Sequence, residues 1–166
     1  YYKVSEEQRG LTKQRNFGVS KVSEDAEIIS FLDDDTVLTE VYFKNLIDTY
    51  IKYPNATGVG GVAINDNRWK LKKEPYKAKT HYQLEKYVIK ESQRNVIRNF
   101  LGLQSDQLPG IMPEFSNGRT YGYPLNGEIH KVDLLIGMSF SFHKKVFKSI
   151  SFSTYFEGYG LYEDAD

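Results

Sequence analysis

Glu27-Ile28-Ile29-Ser30-Phe31-Leu32-Asp33-Asp34-Asp35-Thr36 carries an apolar run straight into three consecutive carboxylates. Ile28, Ile29, Phe31 and Leu32 read as a strand covered on both faces, the pattern of a parallel sheet. Ligands of open α/β sheets bind beyond the carboxyl ends of the strands, which is where the three acids would stand. If the chain stays extended, Asp33 and Asp35 leave it on the same side. Such a pair suits a hard divalent cation that in turn grips phosphate oxygens. The same letters also suit a solvated acidic turn after a strand.

Outward from this stretch, elements alternate. Gly10 to Val19 reads as a loop and a short helix capped by Thr12. Thr39 to Tyr53 is a second helix, with Phe43, Leu46, Ile47, Tyr50 and Ile51 at helical spacing, Thr39 as its cap and Pro54 as its stop. Thr57 to Ile64 returns as a strand whose Gly60-Gly61 permits a bulge or a close backbone approach, completing a βαβ unit. Asn65 to Lys79 reads as a mobile basic loop and His81 to Leu101 as a helix with Leu84, Tyr87, Val88, Val96, Ile97 and Phe100 inward. A hairpin signal stands at Asn126-Gly127. Val132 to Phe142 reads as a strand interrupted at Gly137, with a short helix from Lys144.

Composition narrows the function classes. The chain has 166 residues, 22 Lys and Arg against 22 Asp and Glu, and no cysteine. No net field favours nucleic acid, so phosphate binding must rest on local geometry. Disulfides, thiolate metal sites and cysteine nucleophiles are excluded, which suits a reducing, cytosolic setting. No run approaches the roughly 18 apolar residues of a membrane span. His81, His130 and His143 show no metal-ligand spacing and read as surface or structural. An EF-hand loop fails, because Leu38 stands where glycine is needed and Lys44 where glutamate is needed.

Gly10-Leu-Thr-Lys-Gln-Arg15-Asn16-Phe-Gly18, then FLDDD, then Val132-to-Phe147 (VDLLIGMSFSFHKKVF), then Phe156-to-Asp166 (FEGYGLYEDAD) resembles, in order and spacing, the family 2 glycosyltransferases of the GT-A fold. The resemblance covers about Gly10 to Gly61 and Val132 to Asp166. It implies an α/β, Rossmann-like mixed sheet flanked by helices. The family's opening βαβ unit has no counterpart here, so the chain reads as a fragment. A single partial domain then has three parts: donor and metal binding in 1–64, a variable acceptor-side insertion in 65–131, and the catalytic-base part in 132–166.

The resemblance also implies roles. Asp33, Asp34 and Asp35 match the DxD motif, with Asp35 and Asp33 holding Mn²⁺ or Mg²⁺ on the diphosphate of a nucleotide-sugar donor and Asp33 near the ribose. Arg15 and Asn16 match the pair at the start of the helix before that strand and would bind the donor. Gly137 and Met138 would stand beside the sugars. Glu163-Asp164 matches the ED motif, with Asp164 as catalytic base and Glu163 beside it. The acceptor would be a hydroxyl of a glycan or a lipid-linked molecule, in cytoplasmic synthesis of a surface polysaccharide at the inner membrane face. Peripheral membrane association would follow from a lipid-linked acceptor, and the motifs set neither donor sugar nor oligomeric state. The basic run Arg68 to Lys79 reads as a solvated loop or as a contact for acceptor phosphates. Trp69 and Tyr159 are the aromatics singled out for sugar stacking.

Two other readings compete. Asp33-Asp34-Asp35-Thr36-Val37 also fits the nucleophile motif of haloacid dehalogenase-like phosphatases, with Asp33 attacking phosphorus and Asp35 as acid and base. That motif usually opens its domain and carries glycine where Thr36 stands, and it leaves GLTKQRN and GYGLYED unexplained. A truncated, non-catalytic nucleotide-binding module is the other.

Overall fold

A computed structural model describes residues 1–73, 77, 79–115 and 118–155. Glu163, Asp164 and Tyr159 lie outside them. The chain divides into two compact units, one of residues 1–61 and 135–166 and the other of residues 62–134.

The first unit is built on a three-stranded sheet. β1 (Ile28–Leu32) and β2 (Gly58–Gly60) both pair antiparallel with β6 (Ser139–His143), which lies between them. β1 and β2 are therefore parallel to each other, and the helix α2 (Tyr42–Lys52) is their crossover. The expected βαβ unit is present but split by an antiparallel strand, so the sheet is mixed, as the resemblance implies. β1 lacks the hydrogen-bonded parallel neighbour that its apolar run alone suggested. A third strand arriving from nearly eighty residues downstream fills the gap, and nothing local in β1 announces it.

The alternation of β6 explains how both faces are covered. Phe140 and Phe142 face one side, where Phe31, Phe147 and Phe152 close around them with ring centroids 5.1–5.9 Å apart. Ser139 and Ser141 face the other, and the tyrosines of α2 take them: the Tyr42 hydroxyl bonds Ser139 Oγ, and the Tyr50 hydroxyl lies 3.0 Å from Ser141 Oγ. Ser141 is fully buried and also donates to the Val59 carbonyl at 2.9 Å. A buried hydroxyl in mid-strand is tolerable because each of its capacities is used.

Two helix starts differ from expectation. α1 spans Leu11–Ser20 and begins after Gly10, whose φ of +123° suits glycine; Thr12 is buried instead of capping. α2 begins at Tyr42 after Val41, and Thr39 contributes its carbonyl to the Tyr42 N–H instead of a side-chain cap. Within α2, Leu46 and Tyr50 are buried, while Phe43, Ile47 and Ile51 are exposed. Gly60 and Gly61 do permit close approach, since a Cβ would stand 3.1 Å from Leu135 Cδ2 at Gly60 and 3.0 Å from Ser139 Oγ at Gly61. Gly58, where a Cβ would stand 2.7 Å from the Phe142 ring, is tighter still. The strand expected over Val132 to Phe142 is confined to Ser139–His143, with none of 132–136 in it, and the short helix after it is a 3₁₀ turn over Lys144–Lys148.

The second unit corrects the sequence more deeply. β3 (Lys70–Leu71), β4 (His81–Leu84) and β5 (Tyr87–Lys90) form an antiparallel sheet in the order β3-β5-β4. Lys70-Leu71 is therefore strand, not loop, and the long helix read from His81 is a hairpin followed by a short helix, α3 (Gln93–Phe100). The hairpin turn is Glu85-Lys86, with Glu85 at φ +51°. Ser92 caps α3 by accepting from the Asn95 N–H at 3.2 Å. Asn126-Gly127 does turn, with Asn126 Oδ1 accepting from the Glu128 N–H at 3.0 Å, but no strands flank it among the described residues.

Inside this unit Arg119 and Glu91 form a buried ion pair at 2.9 Å. Arg119 also donates to the Ser105 carbonyl and lies 4.2 Å over the Tyr82 ring, while Asn95 Nδ2 donates to the other Glu91 oxygen. Trp69 is packed here, not free for stacking on a sugar: Nε1 donates to the Gly122 carbonyl at 2.7 Å and the ring meets Tyr82 and Tyr121 edge-on. The histidines are structural: His81 bonds Thr80, His130 stacks on Tyr123 at 3.7 Å and His143 packs on Tyr50. Among the described residues, no helix is long and apolar enough to cross a membrane.

Candidate active site

The acidic stretch leaves the carboxyl end of β1, as its pattern requires, but not as an extended strand. Asp33 N–H donates to the Met138 carbonyl at 3.1 Å, adding one rung beyond the Leu32–Ser139 pair. The chain then folds back, and the Thr36 N–H donates to the Asp33 carbonyl at 3.1 Å. Asp34 and Asp35 are the central residues of this turn, and all three acids are exposed. The same-side argument for Asp33 and Asp35 therefore fails, since it holds only for an extended segment. The three acids instead occupy one tight reversal and are exposed to solvent, which limits the cost of their mutual repulsion.

Thr36, which sequence reasoning passed over, fastens the turn. Its Oγ1 donates to the Met138 carbonyl at 3.3 Å, so that one carbonyl receives both Asp33 and Thr36. Gly137 and Met138 form the turn into β6. Of the residues proposed from sequence, the structure thus joins Asp33, Asp34, Asp35 and Met138 through the backbone, with Gly137 adjoining.

Arg15 and Asn16 stand elsewhere, on α1. Arg15 is buried, its guanidinium carbon 5.0 Å from the Phe140 ring centroid and 5.5 Å from that of Phe152. It is no solvent-facing helix residue; the aromatic cluster of the sheet holds it. Asn16 is engaged within the fold. Its Nδ2 donates to the Phe152 carbonyl at 2.8 Å and its Oδ1 accepts from the Phe152 N–H at 3.0 Å. Both ends of the amide grip one peptide residue, tying α1 to the segment that leads toward Glu163-Asp164. A side chain so engaged acts as a bracket between the two segments.

Among the described residues, no group of three His, Cys, Asp or Glu side chains forms a cage for a metal ion. Magnesium-type sites use one or two carboxylates and complete their shell with substrate phosphates and water. An exposed turn of three carboxylates suits a cation delivered with a diphosphate, not a closed structural site.

The sequence pattern of glycosyl transferase family 2 matches residues 1–108 of this chain. The chain belongs to glycosyl transferase family 2. The matched region holds Arg15, Asn16 and the Asp33–Asp35 turn, and it ends before Gly137, Met138, Glu163 and Asp164. Neither a curated protein nor a solved structure matches the chain. In this family 2 chain the mixed α/β sheet with flanking helices is the expected architecture, and a nucleotide-sugar donor and an acceptor are the general partners.

Proposed function

We propose that this family 2 chain transfers a sugar from a nucleotide-sugar donor to a hydroxyl of a glycan or a lipid-linked acceptor. The observation that carries the reading is the acidic turn Asp33–Thr36 at the carboxyl end of β1, held by the Met138 carbonyl, within the region that matches the family.

Asp35 and Asp33 are the residues for Mn²⁺ or Mg²⁺. The bound cation supplies positive charge where the departing diphosphate becomes anionic. The rest is done by the chain. Arg15 adds a fixed cation beside the sheet, suited to a phosphate or to the developing charge. Gly137 and Met138 line the approach of the sugar. Asp164, outside the described residues, takes the acceptor proton, with Glu163 beside it. The acceptor oxygen forms a bond to the anomeric carbon as the bond from that carbon to the diphosphate oxygen breaks. The electron pair leaves with the nucleoside diphosphate. Direct displacement of this kind inverts the anomeric centre.

Calorimetric titration of UDP, GDP, CDP and dTDP, with and without Mn²⁺, tests the reading. Metal-dependent binding of one nucleotide, lost in Asp35→Asn while the fold is retained, is the expected result. Absence of binding in every combination by the folded chain would overturn it.

A further inference from the structure

Helix α3 is inside out. At about 100° per residue, Phe100, Gln93, Ile97 and Arg94 share one side, and Arg98, Asn95, Asn99 and Val96 the other. The first group is exposed and the second half-buried. Asn95 faces the fold and donates to buried Glu91 at 2.8 Å. Ile97 is 59% exposed, Phe100 84% and Leu101, just past the helix, 58%. A surface helix ordinarily buries its apolar stripe and shows its polar one. Here a capped, formed helix turns asparagines inward and presents a phenylalanine, an isoleucine and a leucine to water.

Charge indicates what covers that face. The helix carries Arg94 and Arg98 and no acid, and exposed Lys90 precedes it. The surrounding unit, residues 62–134, holds 12 Lys and Arg against 8 Asp and Glu, although the whole chain is neutral. Apolar residues flanked by cations, on a helix too short to span, match the chemistry of a bilayer interface containing anionic lipid. The long basic stems can lie along the apolar boundary while their heads reach headgroup phosphates.

We propose that α3 is a membrane-interface anchor that inserts Ile97, Phe100 and Leu101 into an anionic bilayer, with Lys90 and Arg94 on the headgroups. This holds whether or not the transferase reading does. The test is sedimentation of the full chain with vesicles of phosphatidylcholine alone or with about 30% phosphatidylglycerol, an anionic content that generates the attracting potential. The chain is expected to bind the anionic vesicles, less so as salt rises. Phe100→Ser should weaken partitioning about tenfold, the scale of one buried aromatic. Lys90→Gln with Arg94→Gln should weaken it roughly twenty-five-fold, at about a fivefold loss per cation. Both sets are exposed, so circular dichroism should be unchanged. No binding to anionic vesicles would overturn the proposal, as would equal binding by Phe100→Ser. Self-association that Phe100→Ser abolishes, without vesicle binding, would assign the face to a second copy instead.

Discussion

Replacing Asn16 with alanine should cost stability before it costs any contact with a ligand. The side chain makes two hydrogen bonds to one residue, donating to the Phe152 carbonyl at 2.8 Å and accepting from its N–H at 3.0 Å. Each such bond contributes about 0.5–1.5 kcal/mol net, and a part-buried peptide left unpaired adds to the loss. The expected cost is therefore about 2–3 kcal/mol. For a chain of this size that lowers the melting temperature by roughly 4–12 °C. Asn16→Asp is the sharper variant. It keeps the acceptor and the shape but sets a carboxylate oxygen against the Phe152 carbonyl, and should destabilise at least as much. Differential scanning calorimetry reads both, beside nucleotide titration at a temperature where the variants remain folded. Transfer activity should fall more than nucleotide affinity, because the bracket holds the segment leading to Glu163-Asp164. An unchanged melting temperature with nucleotide binding lost would refute the argument and return Asn16 to the donor site.

Glu91→Gln should destabilise by about 3–5 kcal/mol, since it strands the buried Arg119 guanidinium without its counter-charge; chemical denaturation measures it, and Glu91→Gln with Arg119→Met should recover part of the loss. Gly58→Ala should cost about 1–3 kcal/mol, because its Cβ would meet the Phe142 ring at 2.7 Å and the Ser141 carbonyl oxygen at 2.9 Å; thermal denaturation decides. Burial raises the phenol pKa values of Tyr50, Tyr82, Tyr121 and Tyr123, and for Tyr50 the Ser141 bond only partly opposes it. Folded values raised above the unfolded one mean stability that is complete below about pH 10 and is lost as pH rises toward the folded values. Circular dichroism should show alkaline unfolding, with the slope reduced in Tyr121→Phe.

What the sequence made legible was what short-range pattern encodes. The apolar run of β1 and the i, i+3, i+4 spacing of α2 marked those elements, and the glycines of β2 marked the close approach to β6. Elements set by partners far along the chain were not legible. β6 enters between β1 and β2 from a distant segment, and its serines made sense only once the tyrosines of α2 stood above them. The β4–β5 hairpin was missed because Glu85-Lys86 lacks the glycine or asparagine that usually marks a two-residue turn. Asn126-Gly127 has those letters and lacks the strands. At the site, Asp33 did carry a readable signal, since aspartate favours the first position of a turn and Thr36 could close it. Weighing that would have replaced the extended picture of the three acids. The engagement of Asn16 by Phe152 had no signal at all, because it joins residues 136 apart.

Net charge was legible and still misled. The chain is neutral, but the neutrality is a sum of opposites: residues 1–61 and 135–166 hold 10 Lys and Arg against 14 Asp and Glu, and residues 62–134 hold the reverse excess. The described residues of the first unit are balanced, 10 Lys and Arg against 10 Asp and Glu, so the negative charge a nucleoside diphosphate meets at the sheet end is that of the acidic turn. Without a cation, like charges oppose binding, and raising the salt should screen that repulsion and improve a weak affinity. A divalent cation held by Asp33 and Asp35 would cut the charge of the three carboxylates from −3 to −1 and coordinate the diphosphate directly, so added salt should then improve binding far less. Titration of the nucleotide at low and moderate ionic strength, with and without metal, tests this difference in salt dependence. Salt weakening binding equally in both cases would place the diphosphate on basic residues away from the acidic turn.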